Sequence, residues 1–189
     1  YSIEPSTNRF QIKDTGLEQA VIVLGGFAPD YSDPKEKVAM NLLSLITGGD
    51  VNSLLFQELR EKHGLAYSVD MDYQPFEELG YFAVSAMVDR KNVDRSLVII
   101  KDVLKKVREN GVSENELQKV RNHVLGQMLQ VQQSMGTVSQ NIAFCLSMGW
   151  GYERYLNRKE RLMSVTLEDI LAVAQKYLVE DNFFIQVLK

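Results

Sequence analysis

Apolar residues recur along this chain with two periods, and the switches between them lay out its elements. The run 17–27 is almost continuously apolar, which predicts a central strand covered on both faces. Asp33 followed by Pro34 is a cap and first-turn signal. Val38, Leu42, Leu45 and Ile46 then carry a helix to the tandem glycines Gly48 and Gly49. Val51, Leu55, Phe56 and Leu59 repeat at helical spacing up to His63 and Gly64, a cationic last turn with a glycine stop. Beyond it Leu65, Tyr67, Val69, Met71 and Tyr73 alternate with Ala66, Ser68, Asp70, Asp72 and Gln74, the period of a half-buried strand.

Pro75, Glu77 and Glu78 mark a loop, and 81–88 reads as a second strand forming a hairpin with 65–73. Asp89 or Asn92 is placed to cap a helix that turns Val93, Leu97, Ile100, Leu104 and Val107 inward, with Gly111 closing it. Ser113 and Glu116 form a capping box for the next helix, with Leu117, Val120, Val124, Met128 and Val131 on its apolar side; the two helices are expected to run as an antiparallel pair. A third helix is predicted over 137–148, broken by Gly149 and Gly151 around Trp150. Helical patterns over 152–163 and, capped by Thr166, over 166–178 lead to a last strand at 183–188. This order describes an α+β domain with helices packed on one face of a mainly antiparallel sheet. Residues 1–16 read as a linker or edge segment and 17–189 as one domain, without internal repeats.

The stretch GGDVNSLLFQELREKHGLAYSV, residues 48–69, is where chemistry concentrates. An arginine in the last turn of its helix and a tyrosine at the start of its strand can converge across the glycine turn. Guanidinium and phenol both donate hydrogen bonds without changing protonation state at neutral pH, which suits a developing oxyanion. From the pattern alone, Tyr67 reads first as a core tyrosine with its hydroxyl satisfied, and Arg60 as a helix-end cation or surface ion-pair partner.

The run LFQELREKHGLAYSV resembles a segment in the C-terminal half of the pitrilysin family of zinc metallopeptidases, which includes the mitochondrial processing peptidase and bacterial processing-type proteases. EQAVIVLGGFAPDYSDP resembles the first strand and helix start of that half, and NLLSLITGG the helix leading to the motif. The likeness runs in order through most of the chain and weakens after about Asn110. Leu54 departs from it, because many relatives carry arginine after the serine that is Ser53 here.

The resemblance implies a processing-peptidase-like half of a zinc-dependent endopeptidase. Arg60 and Tyr67 would bind substrate carbonyls and the tetrahedral oxyanion, opposite a zinc held in an N-terminal half or a partner subunit. The complete enzyme is expected to use zinc and to assemble as a dimer on a peptide substrate. The inverted zinc motif H-x-x-E-H is absent, so this chain is expected to bind no metal and, alone, to cleave nothing. The alternative is a catalytically inert scaffold or assembly domain of the same family.

Composition excludes other classes. The chain has 189 residues, 45% hydrophobic and 24% charged, with net charge -4 and no block of like charges, so neither nucleic acid nor an anionic membrane is an implied partner. No apolar run approaches the roughly 20 residues that span a bilayer. The single cysteine, Cys145, suits a reducing compartment and reads as a buried small hydrophobe. A bacterial cytoplasm is the expected location, with the mitochondrial matrix as the alternative. The chain opens on Tyr1 and reads as part of a longer protein.

His63 and His123 fall on different helices with no acid at ligand spacing, and read as a helix-end cation and a polar-face residue. Gly25–Gly26 and Gly48–Gly49 lack the spacing of a phosphate-binding loop. The arginines and tyrosines of GWGYERYLNRKER read as a solvated amphipathic helix beside a glycine-flanked loop, with a binding patch as the alternative.

Overall fold

The computed structural model describes residues 9–14, 16 and 18–189. Residues 1–8 of the predicted linker or edge segment therefore lie outside the description. Five strands form one sheet in the order β1-β5-β2-β4-β3, with β1 at Phe10–Lys13, β2 at Gln19–Ala28, β3 at Ala66–Pro75, β4 at Gly80–Asp89 and β5 at Phe184–Leu188. Every pairing is antiparallel except β1 with β5. The expected hairpin is β3–β4.

Eight α-helical segments complete the described chain: α1 (Pro34–Gly48), α2 (Leu54–Phe56), α3 (Val93–Asn110), α4 (Glu114–Gln132), α5 (Met135–Ser147), α6 (Glu153–Leu156), α7 (Arg158–Ser164) and α8 (Leu167–Tyr177). Local signals set their ends. Asp33 accepts hydrogen bonds from the Lys35 and Glu36 amides at the start of α1, and capping boxes at Ser113/Glu116 and Thr166/Asp169 start α4 and α8.

One face of the sheet carries the core. Ala20, Ile22 and Leu24 of β2, Phe82, Val84 and Val88 of β4, and Ile185 and Val187 of β5 meet Met40, Leu43 and Ile46 of α1, Ile100 and Leu104 of α3, and Ile170 and Ala174 of α8 in one buried cluster. Gly48 permits the tight approach of α1 to β3, because a Cβ there would lie 2.4 Å from the Met71 amide nitrogen.

Three expectations are corrected. The strand β2 is covered on one face only, since its burial alternates and Phe27 is exposed. Its second row of apolar side chains lies on the uncovered face, so a continuous apolar run did not mean two buried faces. Next, α4 packs on α1, α5 and α7, leaving no antiparallel pair with α3. Finally, neither Asp89 nor Asn92 caps α3 through its side chain; a turn of 3-10 helix at Arg90–Asn92 intervenes.

Candidate functional site

The segment 50–67 is built to present two side chains at a corner. Ser53 ends a turn closed by Asp50, and Val51, expected on the helix face, is exposed in that turn. The predicted regular helix is instead α2 passing into a π-helix at Gln57–Lys62. Leu55 and Leu59 are fully buried and anchor it, so the widened turn carries Arg60 to the surface beside them. Gly64, at φ 60°, stops the segment in the left-handed region. Its amide donates to the Arg60 carbonyl (3.0 Å), and the Leu65 amide donates to that of Leu59 (2.8 Å).

A β-bulge sets the direction of Tyr67. Ala66 pairs with Val88 and Ser68 with Met87, leaving Tyr67 as the extra residue between them. Strict alternation put Tyr67 on the buried face with Val69 and Met71; the bulge places Ala66 there instead and leaves Tyr67 52% exposed. The core-tyrosine reading is thereby excluded.

Arg60 and Tyr67 meet at this corner. The Arg60 Nη1 group donates to the Tyr67 backbone carbonyl at 2.8 Å, and the guanidinium carbon lies 5.1 Å from the Phe56 ring centroid. The Tyr67 hydroxyl donates to Asp89 Oδ1 at 2.9 Å, and that carboxylate holds the phenol pKa above its usual value. Asp89 follows buried Val88 in β4 and so stands on the uncovered side of the sheet, which is the side the phenol faces. The corner can therefore offer a protonated phenol and a guanidinium to a group approaching that face.

Sequence reasoning missed Asp89 as a partner of Tyr67. Its signal was the hairpin register, which brings the end of β4 beside the start of β3, and no local pattern carries that. The remaining candidates stand apart from the corner or do not form a metal site. His63 Nδ1 lies 3.4 Å from Arg95 Nη2, and exposed His123 pairs with Gln127 within α4. Among the described residues no three His, Cys, Asp or Glu side chains are grouped to hold a metal ion, so the residues present do not fit zinc. Cys145 is free and buried.

The domain is thus a mainly antiparallel sheet backed by helices on one face, with the Arg60–Tyr67 corner at the start of β3. A protease from Helicobacter pylori superposes with TM-score 0.84 at 19% identity, covering 100% of this chain and 46% of that one. A peptidase M16 inactive domain from Pseudomonas fluorescens superposes with TM-score 0.81 at 23% identity, covering 95% of this chain and 42% of that one. In sequence, an uncharacterized zinc protease of Streptomyces coelicolor is 31% identical over 92% of this chain and 38% of its own length. The chain thus spans well under half of that relative. Residues 2–124 match the family described as the Peptidase M16 inactive domain, and the chain belongs to that family.

Proposed function

We propose that this chain is the half of a zinc endopeptidase that holds no metal, and that Arg60 and Tyr67 are its contribution to the reaction. The observation that carries this reading is their convergence: the π-turn and the bulge turn both residues out of the core to one corner, with Arg60 Nη1 2.8 Å from the Tyr67 carbonyl. In this arrangement Arg60 and Tyr67 face outward while Leu55, Leu59 and Ala66 stay buried.

The roles follow from donor chemistry. Arg60 spends one donor on the Tyr67 carbonyl, which fixes its plane, and keeps its remaining N–H groups and its charge for a substrate carbonyl. Tyr67 is a neutral donor across the working pH range, because Asp89 opposes ionisation of the phenol. When the phenol swings from Asp89 to the substrate, it donates to the oxygen on which negative charge develops. Zinc, in this reading, is held by an N-terminal half or partner subunit and takes no ligand from this chain. The uncovered sheet face beside the corner is the side a peptide substrate and that other half approach. The uncharacterized zinc proteases among the relatives support the zinc-peptidase setting of this reading.

One observation favours the inert-scaffold reading. Both side chains already have partners within the chain, Arg60 in the Tyr67 carbonyl and Tyr67 in Asp89, so the pair can act as a clasp holding the π-turn against the hairpin. A cytoplasmic site of action belongs to the first reading and rests on the single free cysteine. No described helix is long and apolar enough to cross a membrane.

The deciding experiment is cleavage of an unstructured peptide by this chain alone, by a zinc-bearing half from the same source, and by the two mixed. Activity only in the mixture, and its loss in Arg60→Ala without loss of assembly, supports the split site. An Arg60→Ala mixture as active as wild type returns the pair to the clasp role.

A further inference from the structure

Where the start of α1 meets the loop between α5 and α6, cations gather that close no ion pair among the described residues. Gly149 and Gly151, at φ 70° and 75°, turn the chain sharply on both sides of Trp150. The Trp150 amide donates to the Cys145 carbonyl at 2.9 Å. Its indole meets Tyr31 at 5.1 Å and Phe144 at 5.7 Å between ring centroids, edge to face, so the three rings brace one another.

Onto this aromatic wall the chain folds two charges. The Arg154 guanidinium carbon is 3.7 Å from the Trp150 centroid, and Lys37 Nζ is 4.7 Å from the Tyr31 centroid and 5.9 Å from that of Trp150. Arg161 joins them by donating to the Arg154 backbone carbonyl. All three side chains are partly buried. Among the described residues, none of the three forms an ion pair, and neither Lys37 nor Arg154 donates a side-chain hydrogen bond; other exposed cations of the chain, such as Lys35 and Lys176, do find carboxylates.

The electrostatics agree with the geometry. Burial pushes down the pKa of each of the three groups, and Lys37 is lowered further by Arg154 and Arg161. The acidic side chain that faces them is Glu160, toward Arg161; their other neighbours are the Cys145 thiol, the Tyr31 hydroxyl and the cationic Arg158. None closes an ion pair. Like charges held together and partly desolvated are costly unless an anion joins them.

We infer that Lys37 and Arg154, set against the Trp150 ring, together with Arg161 beside the Arg154 backbone, form a binding site for a doubly charged oxyanion of the phosphate type. A single carboxylate balances one of three cations, whereas a phosphate carries a charge near -1.5 to -2 at neutral pH and presents three acceptor oxygens to two arginine forks and an ammonium. The free ion and a phosphate monoester share this chemistry. The site is independent of the peptidase reading.

Trp150 is the single tryptophan of the chain, so its emission reports on the site directly. The 189-residue chain is titrated with inorganic phosphate, methyl phosphate and acetate at constant ionic strength set with sodium chloride. Phosphate is expected to change the emission saturably and to raise Tm, and acetate to do neither. Lys37→Met and Arg161→Met should each weaken phosphate binding by about 10-fold or more, the range of one charged hydrogen bond, and Lys37→Arg should restore it. Arg154 is left intact because its stack sets the Trp150 baseline. Methyl phosphate binding as tightly as phosphate assigns the site to phosphate esters, and phosphate alone assigns it to the free ion. An emission change equal to that of acetate, or unaltered in both methionine variants with normal far-ultraviolet circular dichroism, overturns the proposal.

Discussion

The Tyr67 hydroxyl donates its single hydrogen to Asp89 Oδ1, 2.9 Å away across the hairpin. A phenol has one proton to give, so it cannot serve Asp89 and a substrate oxygen together. The contact is at the surface, where water or substrate can replace either partner. Asp89→Asn removes the charge but keeps an acceptor, so Tyr67 should titrate at lower pH than in the wild type. Ring-labelled tyrosine spectra followed against pH measure this. An unchanged Tyr67 titration would mean the contact is not made in solution.

Tyr67→Phe keeps the ring and removes the donor. In the assembled enzyme, kcat should fall by about 100- to 1000-fold, the usual consequence of losing one oxyanion donor, while zinc content stays at the wild-type level. Steady-state kinetics beside metal analysis check both. Full turnover in a folded Tyr67→Phe enzyme removes the donor role and leaves the clasp.

Two glycines should respond differently to alanine. At Gly64 a Cβ meets nothing within 4 Å, but φ is +60°, so Gly64→Ala carries only the backbone penalty of the left-handed region, about 1–2 kcal/mol. At Gly48 the Cβ collides with the Met71 amide nitrogen at 2.4 Å and the Met71 Cβ at 2.6 Å, which neither backbone can relieve cheaply. Thermal melts should rank Gly48→Ala clearly below Gly64→Ala. The reverse order would show that α1 and β3 are not in this close contact.

Asp70 stands on the uncovered face of β3, and burial first, then the neighbouring Asp72, raises its pKa. The folded chain therefore binds this proton more tightly than the unfolded chain. Its carboxylate is best tolerated when protonated, and the associated stability is lost as pH rises through the raised value. Asp70→Asn should raise Tm at pH 7, and the gain should shrink as pH falls toward the ordinary carboxylate range. A gain independent of pH would assign the effect to something other than this ionisation.

What could be read from the sequence was what short-range chemistry decides. Asp33 with Pro34, Ser113 with Glu116, Thr166 at the start of α8 and Gly111 at the end of α3 each set a helix end from within a turn or two, and the structure keeps them. Arg60 and Tyr67 could be singled out together because one glycine turn separates their elements. What could not be read depends on partners far along the chain. The bulge that turns Tyr67 outward is defined against β4, Asp89 reaches Tyr67 only through hairpin register, and the apolar outer row of β2 looks like a second buried face until the helices are seen to pass on the other side. The π-turn at Gln57–Lys62 has no periodic signature, since Leu55 and Leu59 fit a regular helix equally well.

The place of β5 in the sheet bears on how the chain acquires its shape. Val187 pairs with Ile22 on one side and with Ile12 on the other, so the strand that joins β1 to the rest is the last described element to be synthesised. Until it emerges, β2 has an open edge and β1 has no neighbour. Contacts this distant in sequence form late and slowly, because a long loop must close before they return any stabilisation. On the ribosome the β2–β4–β3 hairpin layer with α1 can assemble first, while the bare edge of β2 stays available to any passing strand. The five-residue strand β5 is thus a timing element: its arrival covers the open edge of β2 and gives β1 its neighbour.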